Sequence, residues 1–256
     1  MLFKAFLTAL STYSVIPARI KNWDDRALKY SLCFLPAVGV IISAALALWT
    51  FAANHLPVNN IMFAIIAVCI PLLITGGIHM DGYMDTVDAL SSRQPRERKM
   101  EILKDSNTGA FAVIWCAVYL LVCFGLYNEL AAFGRISAVV PVFVLSRALS
   151  AANVSSLPNA RKGGMLYSFT KGSAQRTTFF IMLIVAAAAV FLMIFTDGLT
   201  GLFAAIAAFI TVFCYRKMVM KQFGGTTGDT AGFFLQVCEG ACLFGAWIGA
   251  MLQGLF

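Results

Sequence analysis

Charge is scarce in this sequence. Only 12% of residues are Asp, Glu, Lys or Arg, whereas 60% are hydrophobic. Soluble domains carry about a quarter charged residues, so a water-soluble globule is excluded, and a mean hydropathy of +0.83 points the same way. No block rich in Ser, Pro or Gln is present to serve as a linker or disordered tail. One membrane-embedded domain over residues 1–256 is therefore expected. The seven cysteines include no C-x-x-C pair, and nearly all lie in apolar runs. That spacing supplies neither a disulfide framework nor a metal cage, and the cysteines read as small buried hydrophobes. A small-x-small cleavage site is also missing after the first apolar patch. Met1–Ile16 is interrupted by Ser11, Thr12, Tyr13 and Ser14, so it reads as an interfacial or re-entrant helix kept in the mature chain.

What remains is a succession of apolar runs. A spanning helix needs about 20 such residues, and seven stretches qualify: Ser31–Ala53, Asn60–Thr75, Ala110–Tyr127, Ser137–Val154, Thr178–Thr196, Leu199–Tyr215 and Gly232–Phe256. The expected fold class is thus all-α, a polytopic transmembrane bundle of about seven spans. The second run is the weakest, because Pro71 removes a backbone bond inside it. Lysine and arginine orient the bundle. Lys4, Arg19, Lys21, Arg26 and Lys29 precede span one; Arg93, Arg96, Arg98, Lys99 and Lys104 follow span two. Arg161, Lys162, Lys171 and Arg176 follow span four, and Arg216, Lys217 and Lys221 follow span six. The intervening connections hold only Arg135. The N-terminus is expected in the cytoplasm and the C-terminus outside, in a bacterial or archaeal inner membrane. The net charge of +7 is then one basic face turned to anionic lipid, and no nucleic-acid partner is expected.

The acidic residues gather on that same face. After span two the chain reads Gly76-Gly77-Ile78-His79-Met80-Asp81-Gly82-Tyr83-Met84-Asp85-Thr86-Val87-Asp88. On a helix Asp81, Asp85 and Asp88 fall within about 60° of arc. Like charges at this spacing repel, and each is costly in apolar surroundings. A divalent cation offsets both costs, and hard oxygen ligands suit Mg²⁺. The alternative is a solvated acidic stripe that needs no ion. His79 lies on the other side of the helix, and reads equally as a packing or a catalytic histidine. A second segment, Gly224-Gly225-Thr226-Thr227-Gly228-Asp229, repeats the pattern G-G-x-x-x-D before the last span. Glycines leading into a helix offer backbone N–H groups to an anion. Between the two segments, Glu101-Ile102-Leu103-Lys104-Asp105-Ser106-Asn107-Thr108-Gly109 mixes carboxylates, a cation and hydroxyls. Thr108 or Asn107 is the expected helix cap there.

These motifs resemble the cobalamin synthase family, adenosylcobinamide-GDP ribazoletransferase. The resemblance rests on GGIHMDGYMDTVDAL, SSRQPRERKMEILKDSNTGAF, CFLPAVGVI, VLSRALSA and GGTTGDTAG, in order along nearly the whole chain. It implies an Mg²⁺-dependent membrane enzyme that joins adenosylcobinamide-GDP to α-ribazole or its 5′-phosphate and releases GMP. It further implies Mg²⁺ at Asp81, Asp85, Asp88 and Asp229, with Asp85, His79 and Lys104 at the reacting centre. Phosphate oxygens are expected at Lys104 and Arg147, aided by Gly76, Gly77, Asp105, Ser106, Gly224, Gly225 and Thr227. Two positions depart from the family pattern: Gln236 stands where Glu is usual, and Asn107-Thr108 replace Arg and a β-branched apolar residue, while Glu239 matches. Three other readings compete. Membrane prenyltransferases need a second Asp-rich motif, and CDP-alcohol phosphotransferases a different sequence after Asp81-Gly82. A transporter would place its acids near the bilayer midplane.

Overall fold

In lipid a backbone must satisfy its own polar groups, so apolar runs of this length become helices. The computed structural model describes residues 2–18, 28, 30–105, 107–163, 165–170 and 175–254. In chain order these form α1 (Leu2–Tyr13), α2 (Leu35–Ala53), α3 (Asn60–Thr75), α4 (Ile78–Ser91), α5 (Arg96–Ile102) and α6 (Ala110–Ala132). There follow α7 (Val142–Ser156), α8 (Met165–Thr170), α9 (Gln175–Thr196), α10 (Gly198–Gln222) and α11 (Gly228–Gln253). The helix α2 is led in by a 3₁₀ turn, Leu32–Phe34, and α7 is preceded by another, Ile136–Ala138. Among the described residues no β-strand is present beyond a single isolated bridge.

Six segments are long and apolar enough to cross a membrane: Leu32–Ala53, Ala110–Ala132, Ile136–Ser156, Gln175–Thr196, Gly198–Gln222 and Gly228–Gln253. They coincide with six of the seven expected spans, most running a few residues further at one or both ends. The protein is a multi-pass, all-α membrane protein. The remaining expected span, Asn60–Thr75, is helical through Pro71. It does not continue straight, because α4 leaves it at 95°. Hence α4 folds back along the first turns of α6 and α11, where Asp88 meets Gly109 and Tyr83 meets Tyr119 and Phe233.

The centre of the bundle is α7. Its segment is 83% buried, against 22% for the α6 segment. This explains its composition: with no lipid face to cover, it carries Ser146, Arg147, Ser150, Asn153 and Ser155, all buried. Conversely, exposed Phe51, Leu73, Phe191, Phe195 and Phe213 form an apolar exterior for lipid. Small residues let neighbours close up. On α11 a Cβ at Gly245 would stand 2.5 Å from the Phe203 carbonyl oxygen, and one at Gly249 would stand 2.6 Å from that of Leu199. Halfway along α7 and α11, the Arg147 guanidinium donates to Glu239 and, at 3.0 Å, to Ser146 Oγ.

The connections sort to two ends. At one, the loop after α7 pairs with the loop before α11 (Ala160 N–H to Thr226 O, 2.9 Å; Thr226 N–H to Pro158 O, 2.8 Å). Asp88 of α4 also meets Gly109 there. At the other, the α6–α7 and α9–α10 connections meet through Arg135 and Asp197 at 3.1 Å. The only arginine expected on that side is thus neutralised by a buried carboxylate. At the first end α1 packs in through buried Ala5, Ala9 and Leu10, and the Val15 amide donates to the Ile74 carbonyl at 2.9 Å.

Candidate active site

Both glycine doublets are helix stops. Gly76 and Gly77 take φ of 63° and 78°, values that only glycine adopts without strain. In that conformation their amides turn back onto the Leu72 carbonyl, closing α3. Gly224 and Gly225 do the same for α10: their amides donate to Val219 O at 2.9 and 3.4 Å. The expectation that these four N–H groups face an anion is therefore corrected, because the preceding helices use them. Each stop redirects the chain into a new helix whose first turn carries an aspartate, Asp81 in α4 and Asp229 in α11.

Those two helices cross at glycines. A Cβ on Gly82 would lie 2.8 Å from the Asp229 carbonyl oxygen, and one on Gly232 would lie 3.1 Å from that of His79. Backbone contact at the crossing brings carboxylates from distant segments together. The Asp85 carboxyl is held up at about 6 by burial, and then by Asp81, Asp229 and Asp88, with Arg161 acting the other way. Arg161 approaches Asp229 at 3.9 Å and donates to the Met100 carbonyl at 3.2 Å, while its buried Nε has no partner.

Other expected site residues are engaged elsewhere. Asp88 accepts the Gly109 amide at 3.0 Å and so serves the start of α6, where Gly109 itself, rather than Thr108 or Asn107, is the N-cap. Asn107 instead donates to Asp105, which lowers the Asp105 carboxyl. Thr227 is the N-cap of α11, in a reciprocal box with Thr230. Arg147 is fully buried and bound to Glu239, so neither side chain reaches the aspartates. Gln236 is buried beside Glu239. Lys104 is exposed at the same end, and Ser106 lies outside the described residues.

Two cavities open around Asp229. The larger, about 290 Å³, is bounded by α1, α4, α7, α8 and α11, with Asp81, Asp229 and His79 in its wall. His79 is buried, its ring stacked on Tyr13 at 6.2 Å. Burial, and then the Arg147 charge, hold its imidazole well below the ordinary range. The smaller cavity, about 150 Å³, is polar and includes Asn159, Arg161, Thr226 and Thr227; it shares Asp229 with the larger. Sequence reading used Arg161 only to orient the bundle. The available signal was a third doublet, in Arg161-Lys162-Gly163-Gly164.

Among the described residues, no three His, Cys, Asp or Glu side chains gather tightly enough to enclose a metal by themselves. Mg²⁺ commonly takes one or two carboxylates and completes its shell with water and phosphate. A set of hard oxygen donors, crowded enough to raise one member's affinity for protons, fits that mode.

The family described as cobalamin-5-phosphate synthase matches residues 5–247, which include every residue of this cluster. The chain belongs to that family. Curated relatives bear the name adenosylcobinamide-GDP ribazoletransferase. One from Lachnoclostridium phytofermentans is 39% identical over 232 residues, covering 90% of this chain and 88% of its own. One from Clostridium perfringens is 33% identical over 238 residues, covering 93% and 94%. One from Desulfitobacterium hafniense is 34% identical over 220 residues, covering 84% of each. No solved structure matches this member of the cobalamin-5-phosphate synthase family.

Proposed function

We propose that the protein joins α-ribazole, or its 5′-phosphate, to adenosylcobinamide-GDP, giving adenosylcobalamin, or its 5′-phosphate, and GMP. This is the last assembly step of cobalamin biosynthesis. Family membership and the relatives' names support it. The observation that carries it is the meeting of Asp81 and Asp229, from two helix starts far apart in sequence, beside Asp85 and Arg161. In the reaction a ribazole hydroxyl oxygen bonds to the phosphorus on the cobinamide side. The bond from that phosphorus to the bridging oxygen breaks, and GMP leaves with that oxygen. Such transfers depend on positioning and charge neutralisation more than on covalent help from the protein.

Asp81, Asp85 and Asp229 would hold Mg²⁺, which neutralises diphosphate oxygens and the leaving phosphate. Arg161 grips phosphate oxygens from the polar cavity. A carboxylate of this cluster takes the hydroxyl proton. Lys104 and Lys162, exposed at this end, add a field that draws in the polyanionic nucleotide. The lysine and arginine distribution supports a cytoplasmic active face in the inner membrane.

The test is GMP release from both substrates against Mg²⁺ concentration, for wild type and for D81N, D85N and D229N in one detergent. Each substitution is expected to lower turnover by about 100-fold or more, as for groups that act as one unit. Near-normal turnover in all three, with unchanged Mg²⁺ dependence, would sink the metal assignment.

A further inference from the structure

We infer that the larger cavity seats the aromatic base of the ribazole nucleoside, with His79 as its hydrogen-bond partner. This rests on the transferase reading above. Three observations favour it. The first is size: about 290 Å³ admits a bicyclic base and its ribose, but not a corrin macrocycle with its amide arms.

The second is the chemistry of the wall. Leu32, Val154, Phe169 and Leu235 make it apolar, and Tyr13 adds a ring. Guanine, the other base in the reaction, carries several edge donors and acceptors that this apolar part of the wall, away from Asp81 and Asp229, would leave unpaired. A benzimidazole-type base carries one free ring nitrogen once its other nitrogen bears the sugar. His79 supplies one matching group: the residue is in the cavity's wall and only 4% exposed, and neither Nδ1 nor Nε2 has a hydrogen-bond partner. Buried polar atoms are rarely left so. A ring N–H donated to the base nitrogen gives the donor nitrogen its partner, while Tyr13, inclined 22° to the imidazole, holds the plane of the donor.

The third is register. Asp81 and Asp229 stand in the same cavity's wall, and the Arg161 cavity lies beyond Asp229. A base among the apolar groups directs its ribose hydroxyl toward the carboxylates, where the phosphorus must arrive. His79 thus binds and orients rather than taking the proton.

The experiment measures KM for each substrate separately, on the full chain in detergent, with GMP as readout. In wild type, free benzimidazole should compete with α-ribazole and not with adenosylcobinamide-GDP. Val154→Phe, which fills the cavity, should raise the α-ribazole KM at least tenfold and leave the other within twofold. His79→Leu should do likewise, and His79→Gln, which keeps a donor, should recover part of the loss. If benzimidazole competes with adenosylcobinamide-GDP, or the variants raise that KM instead, the inference is overturned while the transferase stands. Should Val154→Phe not insert, the wild-type inhibition pattern decides alone. Absence of GMP from wild type with both substrates would overturn the transferase reading, and the inference with it.

Discussion

At the scale of single residues, Asp85 and Glu239 illustrate two fates of a carboxylate in this protein. Asp85 faces its own kind, and its carboxyl is raised to about 6. A raised folded-state value means that the metal-free fold binds the proton more tightly than the unfolded chain does. Its contribution to stability is present below pH 4 and is lost as pH rises through about 6. Asp85→Asn should therefore unfold at a higher temperature than wild type at pH 7 without Mg²⁺, with the gap closing toward pH 4. Added Mg²⁺ should raise the melting point of wild type and not of the variant; equal rises would remove Asp85 from the ion. Glu239 faces a cation instead. The sequence matched it to the family pattern without a partner, because residue type and helix register are legible but the partner across the bundle is not. Removing one member of a buried pair costs about 3–5 kcal/mol, whereas replacing both with apolar groups is often neutral. Glu239→Gln should lower the melting temperature sharply, and Arg147→Met with Glu239→Leu should restore most of it. A double variant as unstable as the single would show that the pair has a further role.

At the scale of helices, the aspartate stripe and most span limits could be read from spacing and hydropathy, both local properties. The 95° turn into α4 could not. Its cause is local, two glycines at positive φ, but its angle is set by what α4 lies against. The glycine doublets show the same division. Sequence marked them as breaks, and correctly put an aspartate in the turn after each, yet it misassigned their amides. A left-handed glycine pair returns its N–H groups to the helix just finished. The contact between α4 and α11 is the feature most open to test. Gly82→Ala places a methyl 2.8 Å from the Asp229 carbonyl oxygen, and Gly232→Ala one 3.1 Å from that of His79. Backbone must yield in the first case, whereas a few tenths of an ångström suffice in the second. Turnover should fall more than tenfold for Gly82→Ala and less for Gly232→Ala, with both variants inserted in the membrane. Equal, mild effects would mean that the crossing tolerates separation and does not set the geometry of the carboxylates.

For the whole molecule, the alternation of lysine and arginine between connections predicted which loops share an end. The contacts agree where residues are described: the loops after α7 and α10 pair at one end, and Arg135 meets Asp197 at the other. Arg19, Lys21, Arg26, Lys29 and Lys171, part of the same pattern, lie outside the described residues. Which end faces the cytoplasm is open to labelling. Single cysteines placed at Arg96 and Asn54, in a variant cleared of exposed native thiols such as Cys69 and Cys214, should react with an impermeant reagent from opposite sides. Arg96 should be reached only from within. Reaction of both from outside would refute the orientation.

The Arg147–Glu239 pair also bears on the membrane as a charged capacitor. On the side of this pair away from the aspartates lie Leu46, Leu130, Val142, Leu243 and Ala246, all buried and apolar. Fixed opposite charges locked to each other cannot carry current, and the hydrocarbon behind them is a dielectric. A protein with so many ionisable groups at one surface can therefore sit in an energised membrane without becoming a leak through it.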